Sequence, residues 1–420
     1  MSERPTVHVD GTTLSPQEVM MVAKQQAIVA VSEDAWPAIH AARAVVERIV
    51  NTGETVYGIN TGFGALVHER ISSDDLAALQ LNLIRSHATA LGELMRVEAV
   101  RAMMLIRLNS LCKGHSGIHP DCIRQLALYL NHGIHPAIPR IGSLGASGDL
   151  APLSHLALAL IGEGEVLVDD VPVPTEQVLF DKGLIAVELT AKDGLSLING
   201  TSQMTAYATI AQQELSELLL LADLILAVSM DARSCSLTPS RPEIHLARAH
   251  SGQMVVAERL RSILADSEIL NQHRDCERVQ DAYSFRCAPQ VHGAVYESFK
   301  RLEGVIRIEL NSATDNPLIF PEPDNPGAHE VVSQGNFHGE IIALTCDAMS
   351  LAAFELGSIS ERRMDQMLDP ARSGLPPFLA KNSGLESGLM IVQYVAGSSL
   401  SEMHGKTTPR SAFSTTTSAG

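Results

Sequence analysis

Apolar residues recur at helical spacing along most of this chain. The segments LAALQLNLIRSH and VEAVRAMMLIRLNSLC, both within Asp74–Asn131, place apolar side chains three and four positions apart, as amphipathic helices do. The same spacing predicts helices over Glu33–Asn51, Leu150–Leu160, Gln290–Asn311 and His338–Leu368. The pattern therefore predicts a mainly α-helical protein.

One helical stretch, Gly200–Asp231, is apolar on most faces rather than on one stripe. A helix of this kind is typically buried, so the stretch is predicted to lie at the centre of a bundle. At the start of the chain, Thr6–Leu14 alternates like a short strand and turn, and Ser15 to Glu18 (SPQE) forms a capping box that predicts a helix start. The segment GEGEVLVDDVPVPT predicts a small β-excursion.

These elements suggest a mainly α architecture, with a long central helix bundle and a smaller N-terminal α-rich part that carries glycine-rich loops. We expect an N-terminal domain over residues 1–200, a helical-bundle domain over residues 201–400, and a divergent or truncated tail over residues 401–420. The tail is polar and rich in serine and threonine, and the helical period is predicted to end after Leu400.

Charge narrows the range of partners. The 420 residues contain 31 Lys and Arg against 48 Asp and Glu, a formal net charge of −17, which argues against nucleic acid or an anionic membrane as the main partner. Charged residues make up 19% of the chain and hydrophobic residues 45%. Such a low share of charge predicts that part of the surface is covered by other subunits.

The six cysteines are scattered and form no CxxC pair, and the first residues do not show the charged n-region and apolar h-region that are typical of a secretory leader. We expect reduced thiols in a cytoplasmic protein. The longest apolar stretch, Leu218–Met230, is too short to span a bilayer and is interrupted by Asp223, so no transmembrane segment is predicted.

The segment GSLGASGDLAPLS has the composition of a tightly bent loop before a helix. Ala146, Ser147 and Gly148 are small residues between glycines and a helix start marked by Asp149. Small side chains let the Gly148 nitrogen approach the Ala146 carbonyl carbon, and cyclisation with dehydration of Ser147 would give a 4-methylidene-imidazol-5-one ring (MIO). A phosphate-cradling or purely structural glycine turn explains this segment alone equally well.

Further motifs accompany this segment along the chain. They are YGINTGFG (57–64), RSHA (85–88), GSLGASGDLAPLSH (142–155), LINGT (197–201), QDAYSFRCAPQVHGA (280–294), NSATDNP (311–317) and GNFHG (335–339). In order and spacing they resemble the aromatic amino-acid ammonia-lyase family, over nearly the whole chain to about Glu402. The Ser86-His87-Ala88 triplet and the AYSFRC segment look more like the histidine-specific members than the phenylalanine-specific ones.

The resemblance implies elimination of ammonia from an aromatic amino acid. Histidine is the leading substrate, giving trans-urocanate. His87 is the specificity candidate, because an imidazole can hydrogen-bond the imidazole of histidine or the phenol of tyrosine. A tyrosine ammonia-lyase or aminomutase with the same prosthetic group therefore stays open. An inactive truncated scaffold of the same fold is a further alternative.

The resemblance also assigns roles to individual residues. Tyr57 matches the base that removes the β-proton, and Arg286 matches the residue that binds the substrate carboxylate. Asn199 and Tyr283 match residues that bracket the ring. The remaining positions that match the pocket are Gln280, Asn316 and Phe337.

The implied prosthetic group is MIO formed from Ala146, Ser147 and Gly148, and the implied assembly is a homotetramer whose active sites draw residues from three subunits. We expect no metal and no nucleotide. His115, His119, His132 and His135 lie in loops without a matching carboxylate pattern, which makes them a weak metal motif. Gly62-Phe63-Gly64 lacks the third glycine of a dinucleotide fingerprint.

The chain departs from the family pattern near both His87 and its last residues. Thr89 and Ala90 stand where a glycine usually follows the histidine-alanine pair, which affects the expected pocket shape. STTTSAG (414–420) resembles the turn before a C-terminal glutamine-glutamate-aspartate element, so we expect a clipped form or a lineage without the glutamate that family members place near the substrate amine.

Overall fold

The computed structural model describes residues 4–62, 71–72, 75–145, 147–273, 278–322 and 329–413. Four predicted features lie outside this part of the chain: Gly64 of the glycine-rich loop, Ala146 of the ring-forming segment, Cys276, and the tail segment 414–420.

Helices dominate the described residues, and the predicted mainly α class is confirmed. They are α1 (Pro16–Ala23), α2 (Trp36–Thr52), α3 (Leu76–His87), α4 (Val97–Cys112), α5 (Pro120–His132), α6 (Leu150–Leu160), α7 (Thr175–Lys182), α8 (Asp193–Ile198), α9 (Ser202–Ala232), α10 (Pro242–Ala247), α11 (Ser251–Ile263), α12 (Glu268–Gln272), α13 (Tyr283–Arg286), α14 (Ala288–Glu309), α15 (Glu340–Leu368), α16 (Pro370–Ser373) and α17 (Met390–Gly405).

The strands are short and pair in small groups. They are β1 (Thr6–Val9), β2 (Ile28–Val31), β3 (Leu91–Leu94), β4 (His135–Pro136), β5 (Pro139–Ile141), β6 (Glu165–Val168), β7 (Val171–Pro174), β8 (Leu318–Pro321) and β9 (His329–Val332). β1 pairs with β2 in parallel, while β3 with β5, β4 with β6, β6 with β7 and β8 with β9 pair antiparallel. The β6–β7 hairpin confirms the predicted β-excursion. Two- and three-stranded pairings of this size hold loops in place rather than build a core.

Local sequence signals fixed several element boundaries. Glu18 donates its backbone N–H to Ser15 Oγ at 3.3 Å, and the Glu18 carboxylate accepts from the Ser15 N–H at 2.8 Å, so the predicted capping box is confirmed. Helix α6 has the predicted bounds, Leu150–Leu160. Helix α17 runs to Gly405, so the prediction that the helical period ends after Leu400 is wrong by five residues.

The described chain forms two compact units. Unit 1 comprises Met1–Gln213, Val305–Ala343 and Ser411–Gly420, and unit 2 comprises Glu214–Gly304 and Leu344–Arg410. The boundaries at residues 200 and 400 stay a prediction about domains. The division by contacts assigns Val305–Ala343 to the same unit as the N-terminal residues, which linear sequence composition does not reveal.

Each unit has its own apolar core. In unit 1, one face of α2 packs with the glycine-rich loop and β8 through Ala42, Val45, Val46, Ile49, Ile59, Leu76, Ala191 and Ile319. In unit 2, parts of α9, α11, α14 and α15 form the core with Leu226, Ala227, Met230, Cys235, Val256, Leu260, Leu264, Phe285, Ala288 and Ile359. The core of unit 2 is the helical bundle that the long apolar segments predict.

Helix α9 is buried on one face and open on another. Leu219 and Leu226 are buried, whereas Leu218 and Leu220 are 52% and 55% exposed in the chain by itself. The prediction that this helix is buried on most faces is therefore wrong for the single chain, because no element of the described residues covers the second face. Among the described helices, α15 has the length and apolar composition of a membrane-spanning helix. Core helices share both properties, so these two features are weak evidence for a membrane span.

Candidate active site

The turn that carries Ser147 and Gly148 lies immediately before α6 and is fixed by backbone hydrogen bonds. The Ser147 N–H donates to the Leu144 carbonyl at 2.8 Å, and the Asp149 N–H donates to the Gly200 carbonyl at 2.7 Å. Ser147 itself is half-buried. The backbone at Gly145 is held as well, because its carbonyl accepts from the Gly339 N–H at 2.8 Å. Two distant segments therefore set the shape of this turn.

Gly148 has no room for a side chain. Its φ of +75° lies in the left-handed region, which favours glycine. A Cβ at this position would lie 2.6 Å from the carbonyl oxygen of Gly200 and 3.0 Å from that of Phe337. Positive φ and close backbone approach both explain why the sequence has glycine here. Of the three predicted ring-forming residues, Ser147 and Gly148 are thus placed by the structure.

Asn199 ends α8 directly before Gly200 and is 7% exposed. Its Oδ1 is buried and has no hydrogen-bond donor among the described residues. A buried acceptor without a donor is costly in a folded protein, so its presence marks a position where a ligand or group is expected to supply the donor. The neighbouring Gly200 carbonyl touches Gly148, which brings Asn199 next to the ring-forming turn.

The Tyr57 loop is held by the Asn60 side chain. Asn60 Nδ2 donates to the Glu54 carbonyl at 2.6 Å, and Asn60 Oδ1 accepts from the Val56 N–H at 2.9 Å. Gly58 is packed so closely that a Cβ there would lie 2.7 Å from Cδ of Pro317 and 2.9 Å from Cδ2 of Leu195. The loop that carries Tyr57 therefore packs against α8 and against Pro317, the residue after Asn316.

Asn316 is 7% exposed, and its Oδ1 accepts from the Gln334 N–H at 2.8 Å. Gln334 in turn donates through Nε2 to the Asp315 carbonyl at 2.6 Å. These bonds join the Asn316 turn to the segment after β9. That segment carries Phe337, whose side chain is half-buried. Tyr57, Ser147, Gly148, Asn199, Asn316 and Phe337 therefore belong to one set of mutually packed segments in unit 1.

His87 is the last residue of α3, and this helix packs against α6 and α8. His87 Nδ1 lies 2.8 Å from the Leu83 carbonyl oxygen. Because a carbonyl only accepts, Nδ1 carries the proton and Nε2 of the neutral ring is left as an acceptor. Three residues after His87, Ala90 lies close to Gly142: a Cβ added at Gly142 would be 3.0 Å from the Cβ of Ala90. The His87 turn is thus adjacent to the start of the ring-forming segment.

Two buried charged residues beneath the site were not foreseen from the sequence. Asp149 is fully buried and accepts from Ser143 Oγ at 2.6 Å and from the N–H groups of Gln203 and Met204 at 2.6 and 3.2 Å. Burial raises the pKa of Asp149 to about 6, and these hydrogen bonds and the Arg107 charge oppose the rise. Asp149 is the N-cap residue of α6, as predicted, but its side chain accepts from the first turn of α9 instead.

Arg107 is the second of these residues. It is fully buried in α4, and burial lowers the pKa of its guanidinium while Asp315 and Asp149 act in the opposite direction. The guanidinium donates to the Ser196 carbonyl through Nη2 and fills the space beside Gly200. An arginine inside the apolar run VRAMMLIRLNSLC was the sequence signal that could have identified it.

A buried ion pair completes the support of this region. Lys192 Nζ lies 2.7 Å from Asp315 Oδ2, and both side chains are almost fully buried. Ser196 Oγ donates to the same carboxylate oxygen at 3.2 Å. Burial lowers the pKa of Lys192, and Asp315 opposes that change. The pair joins the start of α8, the helix that Asn199 follows, to the residue before Asn316.

Gln280, Tyr283 and Arg286 are the predicted site residues of unit 2. Tyr283 and Arg286 are the first and last residues of α13, and the Arg286 guanidinium lies 4.7 Å from the centre of the Tyr283 ring. Gln280 and Arg286 line a cavity of about 830 Å³ together with Arg278, Asp281 and Gln290. Arg286 Nε is buried without an acceptor among the described residues. Tyr283 is 73% exposed.

Two histidines of the weak metal motif, His115 and His119, have other hydrogen-bond partners. His115 Nδ1 lies 3.1 Å from the Ile319 carbonyl, His119 caps α5, and burial lowers the pKa of His135 to about 4. Within the described ranges no group of three or more His, Cys, Asp or Glu side chains could hold a metal ion.

Comparison with known proteins agrees with this arrangement. The family model for aromatic amino acid lyases matches residues 14–420, so the chain belongs to the aromatic amino acid lyase family. This match extends beyond Glu402, the approximate end of the resemblance in the short motifs.

Individual relatives extend this result. The chain is 45% identical over 417 residues to a histidine ammonia-lyase of Myxococcus xanthus, a match that covers 99% of this chain and 81% of that protein. A crystal structure of histidine ammonia-lyase from Trypanosoma cruzi superposes with a TM-score of 0.89 at 42% identity, covering 99% of this chain and 77% of that one. Tyrosine aminomutase from Streptomyces globisporus superposes with a TM-score of 0.87 at 38% identity, covering 96% and 78%.

Proposed function

We propose that this protein is a carbon-nitrogen lyase that eliminates ammonia from L-histidine to give trans-urocanate. The observation that carries the proposal is the packing of the Ser147–Gly148 turn. Gly148, at φ +75°, lies against the carbonyl oxygens of Gly200 and Phe337. The similarity at 45% identity to a histidine ammonia-lyase supports histidine as the substrate.

The residues present fit an MIO group formed from Ala146, Ser147 and Gly148. The turn is bent tightly enough to form the Ser147 to Leu144 hydrogen bond, and a Cβ at Gly148 is excluded. The unpartnered Oδ1 of Asn199 lies on the adjacent turn and can accept a hydrogen bond from the substrate amine. Gly200 and Phe337 would hold the group from the backbone, and the side-chain amide N–H of Asn199 would donate to the carbonyl oxygen of MIO.

Elimination breaks the bond from the α-carbon to nitrogen and a C–H bond at the β-carbon, and forms the carbon-carbon double bond. When formed, MIO supplies an electrophilic carbon for the substrate amine, a chemistry that the ordinary side chains lack. In our proposal the Tyr57 phenolic oxygen accepts the β-proton. Arg286 binds the substrate carboxylate, for which a planar pair of donors is suited, and Tyr283 and Gln280 line the same pocket.

His87 would select the substrate ring. The acceptor at Nε2 of its neutral form matches the N–H of an imidazole or the O–H of a phenol, and an unsubstituted phenyl ring has neither donor. The tyrosine lyase or aminomutase alternative is favoured by the likeness to tyrosine aminomutase at 38% identity. Incubation with each amino acid separates the two, because urocanate and coumarate differ in ultraviolet absorption.

Intact mass tests the prosthetic group directly. Ring formation removes two waters from the chain, whereas an inert scaffold would retain the mass of the unmodified sequence. Ser147→Ala is expected to retain both waters and to lose ammonia release. Ammonia release by Ser147→Ala at the wild-type rate would contradict the mechanism.

We also propose a homotetramer in the cytoplasm. Half-exposed leucines on α9 support the assembly, since a row of exposed apolar side chains is typical of a covered surface. The cysteines of the described residues are free thiols, as expected of a reducing compartment. Light scattering that gives the mass of one chain at assay concentration would contradict the tetramer.

A further inference from the structure

Asp223, the charged residue that interrupts the apolar stretch of α9, belongs to a buried polar chain in unit 2. Its Oδ1 lies 2.8 Å from Nδ1 of His292 on α14, and His292 Nε2 lies 3.2 Å from Nη1 of Arg363 on α15. The three residues are 2 or 3% exposed. Three long helices are thus joined by one line of hydrogen bonds inside the apolar core.

The donors and acceptors in this line of hydrogen bonds define one protonation state for the His292 imidazole. An arginine side chain only donates, so Nε2 of His292 must present its lone pair to Arg363. The remaining nitrogen, Nδ1, then carries the proton and donates to the Asp223 carboxylate. Burial lowers the pKa of His292 and Arg363 acts in the same direction, while Asp223 opposes them, and the net lowering agrees with a neutral imidazole. His292 is therefore fixed as the neutral Nδ1–H tautomer.

The line of hydrogen bonds ends at α13, the helix that carries Arg286, the candidate for binding the substrate carboxylate. Arg363 Nη1 also donates to the Ser284 carbonyl at 3.3 Å, and Arg363 Nη2 donates to Ser360 Oγ at 2.8 Å. Ser284 lies within α13, between Tyr283 and Arg286. A four-residue helix has little stability of its own, so its placement depends on such contacts.

We propose that Asp223, His292 and Arg363 form a positioning relay, in which neutral His292 connects the Asp223 carboxylate to the guanidinium that holds the Ser284 carbonyl and thereby places Tyr283 and Arg286 for substrate binding. The proposal rests on the proposed function, because that function assigns the substrate carboxylate to Arg286. In this proposal the three relay residues, which are buried in the core, act through Ser284 and bind no substrate themselves.

Two substitutions at His292 separate the links of the relay. His292→Asn retains a donor near the position of Nδ1 but has no acceptor at the position of Nε2, so Arg363 loses its bond to residue 292 and keeps those to Ser284 and Ser360. His292→Gln can place its amide oxygen at the position of Nε2 and keep Arg363 bonded. The matched control is Arg259→Gln, because Arg259 binds the other oxygen of Asp223 at 3.0 Å and has no link to Ser284.

Steady-state kinetics with L-histidine provide the first readout. We expect His292→Asn to raise KM roughly tenfold with kcat little changed, the effect of misplacing a group that binds substrate and transition state alike. His292→Gln keeps the bond to Arg363 but loses the donor to Asp223, so it should raise KM less than His292→Asn does. Arg259→Gln should keep KM close to wild type. Equal KM values in all three variants, or an equal rise in all three, would overturn the relay.

Hydrogen-deuterium exchange provides a readout without turnover. The N–H groups of Phe285, Arg286 and Cys287 bond to carbonyls within or directly before α13. We expect them to exchange faster in His292→Asn than in Arg259→Gln. A wild-type protein that does not consume histidine would refute the proposed function, while unchanged exchange in His292→Asn would refute the relay.

Discussion

The backbone N–H of Asp149 donates a 2.7 Å hydrogen bond to the carbonyl oxygen of Gly200. This bond joins the turn before α6 to the turn after α8, so the ring-forming residues and Asn199 share one support. The Asp149 side chain continues the connection to the first turn of α9 through Gln203 and Met204. Placement of the reactive turn thus depends on residues about fifty positions away.

Gly200→Ala should disturb this support. A Cβ at Gly200 would overlap Nη1 of Arg107 and lie 2.8 Å from Oγ1 of Thr314, and neither neighbour is at the surface. We expect a loss of stability of about 1–3 kcal/mol and a fraction of chains that retain both waters. Intact mass and thermal unfolding measure the two effects.

Gly304→Ala is the matched control for that substitution. Gly304 lies inside α14, and a Cβ there meets nothing within 4 Å. This variant should be neutral or slightly more stable, since alanine is the better helix former. Complete ring formation and full stability in Gly200→Ala would contradict the proposed support.

Asp149 should make stability depend on pH. Its pKa is about 6 in the folded chain, against an ordinary value of 3.8. Between these values the folded protein binds more protons than the unfolded chain, so this carboxyl lowers stability as pH rises from about 4 to 6. Above pH 6 the contribution is constant.

Asp149→Asn removes this titration. The unfolding free energy of wild type minus that of the variant should fall by roughly 2–3 kcal/mol between pH 4 and pH 6. Urea unfolding at several pH values measures the difference. A difference that rises with pH across this interval would show that Asp149 has a lowered pKa instead.

Tyr57→Phe tests the proposed base. The variant keeps the aromatic ring and loses the phenolic oxygen, so kcat for histidine should fall by about 10²–10⁴. Both waters should still be lost from the chain, because Tyr57 is not part of the ring-forming segment. A kcat within a few-fold of wild type, with the ring formed, would remove Tyr57 from this role.

His87→Leu tests substrate selection. Loss of the Nε2 acceptor should lower kcat/KM for histidine roughly tenfold to a hundredfold, measured by urocanate formation. His132 is a suitable control, because it is also the last residue of its helix but is exposed at the end of α5. His132→Leu should match wild type, and equal losses in both variants would point to a general effect on the fold.

Much of the local structure could be read from the sequence because its causes are local. The Ser15 capping box, the bounds of α6 and the β6–β7 hairpin depend on residues within one or two turns of each other. The motifs around Tyr57, Ser147 and Arg286 were recognised in the same way, from short stretches of unusual composition.

Contacts between distant residues could not be read in this way. The sequence contains Arg107, Asp149, Asp223 and His292, but the partners that the fold brings to them from other elements lie 36 to 89 positions away. Burial turns these charges from ordinary solvated side chains into residues that must be paired, and burial is a property of the packed chain. Composition and local patterns alone therefore establish which chemical groups this lyase has and where most of its helices form. Which of those groups meet follows from the packing of distant segments, because an unpaired buried charge costs more free energy than the folded state can spare.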